Sequence, residues 1–215
     1  MPTIIDSLQI SSDVLVPLLM LPFIATLVVL ARHILGLKSF GMYIPIIATY
    51  ALFTLGFKIG ITLIIYLAVV GIITRLAISP LRIHYISRIS LVICLSTIAS
   101  IVFLYVIAAL EFTKNHPINS VIPIILIIAF CETFVSTQIQ KGMRTSIYLF
   151  METFVIAVLG CLLLRWNFAV NFVLNYPYVL ILIVFINILI GKWKGLRLYE
   201  MWRFRTIKKS VRKIS

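Results

Sequence analysis

Two carboxylates sit in stretches of this sequence that are otherwise apolar. Glu132 falls in IPIILIIAFCETFVSTQIQ and Glu152 in TSIYLFMETFVIAVLG, ten positions either side of Gly142. An ionised group in hydrocarbon costs at least ~2.5 kcal/mol unless it is paired or hydrated, so each is a candidate for chemistry. If the two runs are antiparallel helices joined at the basic turn QKGMR, the equal spacing places both carboxylates at nearly the same depth, about 10 to 12 Å from the inner helix ends. Arg75 lies a comparable distance from the inner end of ITLIIYLAVVGIITRLAIS. The three together could form an intramembrane cluster. Arg75 would then hold one carboxylate ionised while the second keeps a proton, because two like charges in low dielectric do not both ionise cheaply. A proton-coupled carrier uses a cluster of that kind. The same residues equally suit a structural tie between helices, with Arg75 otherwise snorkelling to the interface. Catalysis is the third reading.

Other chemistry finds little support. Cys94, Cys131 and Cys161 lie in apolar runs with no Cys-x-x-Cys pair, which indicates neither a disulfide framework nor a zinc site. His33, His84 and His116 fall near helix ends or in loops on different sides of the membrane and cannot share a metal. HExxH, GxSxG and a phosphate-binding glycine loop are absent from the sequence. The final apolar run YVLILIVFINILIG carries no Lys for a retinal Schiff base. No catalytic constellation and no cofactor site is expected. Ser96, Thr97, Ser100, Thr133, Ser136, Thr137, Gln138 and Asn187 read as groups that hydrogen-bond between helices, worth about 0.6 kcal/mol each.

The elements that must position Glu132, Glu152 and Arg75 follow from composition. Of 215 residues 62% are hydrophobic and 12% charged, with a mean hydropathy of +1.17. Water is not the main solvent of such a chain. Apolar segments at 14–33, 42–57, 59–80, 88–110, 119–139, 145–165 and 176–192 give seven expected transmembrane helices. The second is short and forms a tight hairpin with the third through GFKIG. The stretch RWNFAVNFVLNYPY, rich in aromatics and Asn, reads as interfacial. No internal repeat is evident, and continuous rather than alternating apolar runs exclude a β-barrel. The fold class is therefore all-α, a polytopic membrane helical bundle: 1–13 a short extracytoplasmic N-terminus, 14–192 the seven-helix domain, 193–215 a basic tail.

Charge supplies the sidedness. Nineteen Lys and Arg against six Asp and Glu give +13. Seven spans place all but Lys58, Lys114 and Arg165 on one side, and Lys and Arg accumulate in cytoplasmic loops. The N-terminus is expected outside and the C-terminus in the cytoplasm. The tail spaces Phe204, Ile207, Val211 and Ile214 by three and four. It reads either as an amphipathic helix drawn to anionic lipids of the inner leaflet or as a stop signal that fixes orientation. Nucleic acid is not an expected partner.

The order of features resembles a known family. The first two spans are joined by ILGLKSFGMYIPI with Gly36, Phe40, Gly41 and Pro45, the fifth holds Glu132, and the chain ends in GKWKGLRLYEMWRFR. These resemble the bacterial seven-transmembrane-helix family usually fused to an inactive transglutaminase-like domain. The residues carrying the resemblance at the end are Gly191, Gly195, Arg197, Glu200, Arg203, Phe204 and Arg205. The resemblance implies an extracytoplasmic transglutaminase-like domain, which this sequence is expected to lack and to obtain from a separate chain if at all. It also implies an ATP-grasp ligase-like cytoplasmic partner and a location in the cell inner membrane. Thr133 stands where the resemblance would place an Arg after the fifth-span Glu. The expected function is a non-enzymatic module that anchors or couples partners on the two sides, with a small proton-coupled transporter using Glu132, Glu152 and Arg75 as the alternative.

Overall fold

A computed structural model describes residues 12–80, 84–109, 121–176 and 178–192, and every regular element in them is helical. We number them α1 (Ser12–Leu30, continuing as a π-helical turn Ala31–Leu35), α2 (Tyr43–Leu55), α3 (Phe57–Ile78), α4 (Tyr85–Ala109), α5 (Ile122–Lys141), α6 (Met143–Arg165), α7 (Asn167–Asn175) and α8 (Val179–Lys192). Five helical stretches are long and apolar enough to cross a bilayer: Leu15–Leu35, α3, α4, α5 and α6. They coincide with the expected spans at 14–33, 59–80, 88–110, 119–139 and 145–165. The expected span at 42–57 is α2, whose 13 residues rise only about 20 Å, short of a hydrocarbon core of about 30 Å. The expected seventh span is α8, joined to the short α7 across a 107° bend.

Two of these helices end because one residue leaves helical space. Gly56 (φ 87°, ψ 141°) is the whole joint between α2 and α3, and Gly142 (φ 85°, ψ 163°) the whole joint between α5 and α6. Residues with a Cβ rarely adopt those angles, so each glycine folds two helices into a tight hairpin. Gly60 does not share that role. It lies inside α3, where an added Cβ would stand 2.9 Å from the Leu52 side chain of α2, so it lets the hairpin close rather than turning it. The expected hairpin through GFKIG thus turns on the first of its two glycines alone.

The faces of α3 show what solvent the bundle is built for. Leu63, Ile64, Leu67 and Gly71 are buried, while Ile65, Val69, Ile73 and Leu76 on the other side are exposed. A helix apolar on all faces belongs in lipid. Polar groups turn inward and close on one another: Ser146 Oγ donates to the Phe134 carbonyl at 3.0 Å, Cys131 Sγ to the Leu67 carbonyl at 3.1 Å, and Asn187 Nδ2 to Thr26 Oγ1 at 2.7 Å. Small residues permit the close approaches. A Cβ on Gly160 of α6 would meet Thr49 Oγ1 of α2 at 2.6 Å. Short α2 is thereby enclosed, with Ala48, Ala51 and Leu52 fully buried. Along α7 and into its C-cap the rings of Phe168, Phe172 and Tyr176 follow one another, all exposed, at ring distances of 6.3 and 5.4 Å, within the aromatic stretch that precedes the last helix.

Candidate functional site

The α5–α6 hairpin positions both carboxylates. Around Glu132 the sequence reads Phe130-Cys-Glu-Thr-Phe134, and around Glu152 it reads Phe150-Met-Glu-Thr-Phe154. Phenylalanines four apart share one helix face. Folded about Gly142, the two pairs meet: Phe130 stacks on Phe150 with ring centroids 5.2 Å apart, Phe134 lies 4.8 Å from Phe150, and Phe154 stacks on Phe150 at 6.2 Å. Each Glu is two residues from its flanking phenylalanines, about 200° round the helix axis. The seam that joins α5 to α6 therefore turns Glu132 and Glu152 outward in opposite senses.

Glu152 fastens the loop between α1 and α2. Its Oε2 accepts the backbone N–H of Lys38 at 2.6 Å, and the neighbouring Thr153 Oγ1 accepts the backbone N–H of Phe40 at 3.0 Å. Thr153 remains satisfied by donating to the Leu149 carbonyl at 2.7 Å. Gly36 (φ 77°) ends the π-helical turn, and Ser39 Oγ bridges to the Gly41 carbonyl at 3.1 Å, so the loop is shaped before it docks. The Phe40 ring completes the latch by packing edge-on against Phe130 at 6.1 Å and Phe134 at 6.4 Å. Phe40 is only 6% exposed although it belongs to a loop.

Glu132 faces α4. It shares a recess with Tyr85, Arg88, Ile89, Val92, Ser136 and Ile139 whose cavity volume is about 10 Å³. That is at most the space of one water. Beside it, Gln140 Nε2 donates to Tyr85 Oη and to Ser136 Oγ, both at 3.2 Å, and Tyr85 and Ser136 are themselves 3.1 Å apart. Arg75 is elsewhere: its Nη1 points at the sulfur of Met143 at 3.5 Å, a weak acceptor. It lines a second cleft with Ile78, Ser79, Arg88 and Ile139.

The expected cluster of Arg75, Glu132 and Glu152 is therefore not assembled. Among the described residues the three share neither a hydrogen-bond partner nor a cavity. Equal spacing from the turn fixes only the position of each carboxylate along its helix, while the phenylalanine seam sets their facing. Three contributors carry no expected site role: Arg88, which borders both the Glu132 recess and the Arg75 cleft, Thr153, and the loop 37–41, whose Phe40 and Gly41 enter the sequence reading only through the family resemblance. The signal was present, since Phe-x-Glu-Thr-Phe occurs twice at an interval of twenty residues and its phenylalanine spacing implies a helix seam. Of the terminal motif, Gly191 stands exposed near the end of α8. Gly195, Arg197, Glu200, Arg203, Phe204 and Arg205 lie outside the described residues. Among the described residues no three His, Cys, Asp or Glu gather as metal ligands.

Long helices with apolar outer faces and polar groups closed inside define a polytopic helical membrane protein. A family model described as seven transmembrane helices usually fused to an inactive transglutaminase matches residues 4–208, and the chain belongs to that family. No curated protein and no solved structure matches it.

Proposed function

We propose that this chain is a non-enzymatic membrane module that anchors an extracytoplasmic partner and couples it to a cytoplasmic one. One observation carries the reading: Glu152, the kind of group a lipid-embedded helix accepts least readily, accepts a backbone hydrogen bond from Lys38. The carboxylate fastens a loop instead of facing a solute path. Phe40 carries the same loop into the ring cluster of α5 and α6. The loop at this basic end is thus tied to the core of the bundle. The usual fusion of the family to an inactive transglutaminase supports a partner without catalytic demand on the membrane domain.

In this reading the chain keeps the family's seven helices in the cytoplasmic membrane, with short α2 counted as one of them, and its N-terminus lies outside. Residues 1–13 precede the seven-helix domain 14–192, and the basic tail 193–215 lies on the cytoplasmic side against anionic lipid. Arg197, Glu200, Arg203 and Arg205 form the inner docking surface, with an ATP-grasp ligase-like protein as the cytoplasmic partner and a transglutaminase-like domain as the outer one. The test is co-purification from native membranes. Arg203→Glu with Arg205→Glu is expected to abolish recovery of the cytoplasmic partner while membrane insertion is retained. Undiminished recovery of the partner would count against the coupling role.

A further inference from the structure

The chain leaves α1 through a wide turn that gathers two cations. Arg32 and Lys38 are six residues apart, which on an unbroken helix is about 240° round the axis and sets them on different faces. Here the N–H groups of Gly36 and Leu37 both bond to the Ala31 carbonyl, and Gly36 takes a left-handed φ of 77°. The helix stops, and Arg32 and Lys38 come to line one open cleft of about 410 Å³. Pockets for small molecules commonly hold about 300 to 1,000 Å³.

Neither cation is neutralised. Among the described residues the side chains of Arg32 and Lys38 have no hydrogen-bond or ion-pair partner. The Glu152 carboxylate is occupied with the backbone N–H of Lys38 at 2.6 Å, and it does not line the cleft. His33 does line it, but its Nδ1 is turned back on the Val29 carbonyl of its own helix at 3.1 Å. The positive charge of the cleft therefore rests on Arg32, which is half-buried, and Lys38, which is exposed.

The other walls are apolar, formed by Val29, Leu37 and Met42. Tyr43 follows Met42, opens α2 and is 79% exposed. Exposed tyrosines at helix ends mark the level of the lipid headgroups. A guanidinium fork matches two oxygens of a phosphate, and an ammonium adds a point charge beside it. Free phosphate would use the two cations and leave the apolar walls uncovered. A phospholipid uses both, with its phosphate on the cations and the start of its acyl chains along Val29, Leu37 and Met42.

We propose that this cleft binds the headgroup of an anionic phospholipid, with Arg32 forked on the phosphate and Lys38 beside it. Lys38 is also the residue whose N–H is held by Glu152. Bound lipid thus closes the loop 36–42 from the membrane side, while Glu152 and Phe40 close it from the bundle side. The site depends neither on the coupling role nor on the basic tail.

The experiment is hydrogen exchange of the full chain in phosphatidylcholine bilayers with and without phosphatidylglycerol, read over residues 36–42. At a lipid excess of about ten times the dissociation constant, exchange there is expected to slow about tenfold. Arg32→Gln with Lys38→Gln is expected to cut the slowing to under about twofold, and Lys38→Gln alone, at an exposed position, to about threefold. The single variant keeps the test decisive should Arg32 be needed for folding. Lys141→Gln with Arg144→Gln removes the same charge from the exposed α5–α6 turn and is expected to stay within about twofold of the wild type. Slowing that is absent in the wild type, that survives in both Lys38 variants, or that is lost equally in the turn variant overturns the site. Slowing reproduced by inorganic phosphate without phosphatidylglycerol overturns its assignment to a lipid.

Discussion

The rings of Phe130 and Phe150 stack 5.2 Å apart at an interplanar angle of 11°, and this contact sets the direction of the two carboxylates beside them. Because each Glu is two residues from a seam phenylalanine, joining α5 to α6 through their rings points Glu132 at α4 and Glu152 at the loop after α1. One sequence pattern thus serves two different neighbours. Glu132 meets a recess bordered by Arg88 and Tyr85, and Glu152 meets a backbone N–H. The hairpin is a two-sided bracket whose inner face is aromatic.

That geometry predicts independence. Glu132→Gln and Glu152→Gln are expected to have effects on stability that add to within about 0.5 kcal/mol, as for sites without shared partners. A double-mutant cycle measured by reversible unfolding in mixed micelles checks this. A coupling of 1 kcal/mol or more would mean that the carboxylates act on one another after all.

The loop latch has two parts of unequal strength. Glu152→Ala removes one charge-assisted hydrogen bond, worth about 1.5 kcal/mol at an accessible site. Phe40→Ala empties a ring-sized volume between Phe130 and Phe134, at a cost of about 3 to 5 kcal/mol in a well-packed core. Hydrogen exchange over residues 37–42 should therefore accelerate far more in Phe40→Ala than in Glu152→Ala. Equal acceleration would show that the carboxylate, not the ring, holds the loop.

The approach of α6 to α2 offers a test in which the sign changes with background. In Gly160→Ala the new Cβ would stand 2.6 Å from Thr49 Oγ1 and 2.8 Å from Thr49 Cγ2, and overpacking of that kind costs about 1 to 3 kcal/mol. Thr49→Ala removes both atoms. In that background Gly160→Ala should be neutral or stabilising, because alanine is favoured over glycine in a helix by about 1 kcal/mol. Thermal unfolding of the four proteins reads the outcome, and Gly160→Ala equally harmful in both backgrounds would place the close contact elsewhere.

The fold was largely legible from composition, because continuous apolar runs dictate helices in lipid and five of the expected spans reappear as long helices. Chain ends and short pieces were less so. Nothing in the hydropathy of 42–57 distinguishes a full crossing from the enclosed 13-residue α2, since burial against α3, α5 and α6 selects the same residues that lipid does. The site was half legible. Counting residues from Gly142 gives only position along each helix, which follows from helix rise, whereas facing depends on which side of each helix packs. Phe40 shows the limit most clearly: an aromatic residue between Ser39 and Gly41 reads as loop, and only the seam of Phe130 and Phe134 makes it core.

Gln138 was expected to tie helices together, and its surroundings predict a different consequence. The side chain is fully buried, and neither its amide nitrogen nor its amide oxygen has a partner among the described residues. A buried amide without partners costs about 1 to 3 kcal/mol, and replacing it with an apolar side chain of similar shape removes that cost. Gln138→Met keeps the length and flexibility of the side chain, so packing is little disturbed. The variant is expected to unfold at a higher temperature than the wild type, by an amount corresponding to about 1 to 2 kcal/mol. Retained insertion with raised stability and lost partner recovery would mark the amide as a group kept for coupling at the expense of stability. A lowered unfolding temperature would mean that Gln138 holds α5 to its neighbours by polar contact, contrary to the geometry.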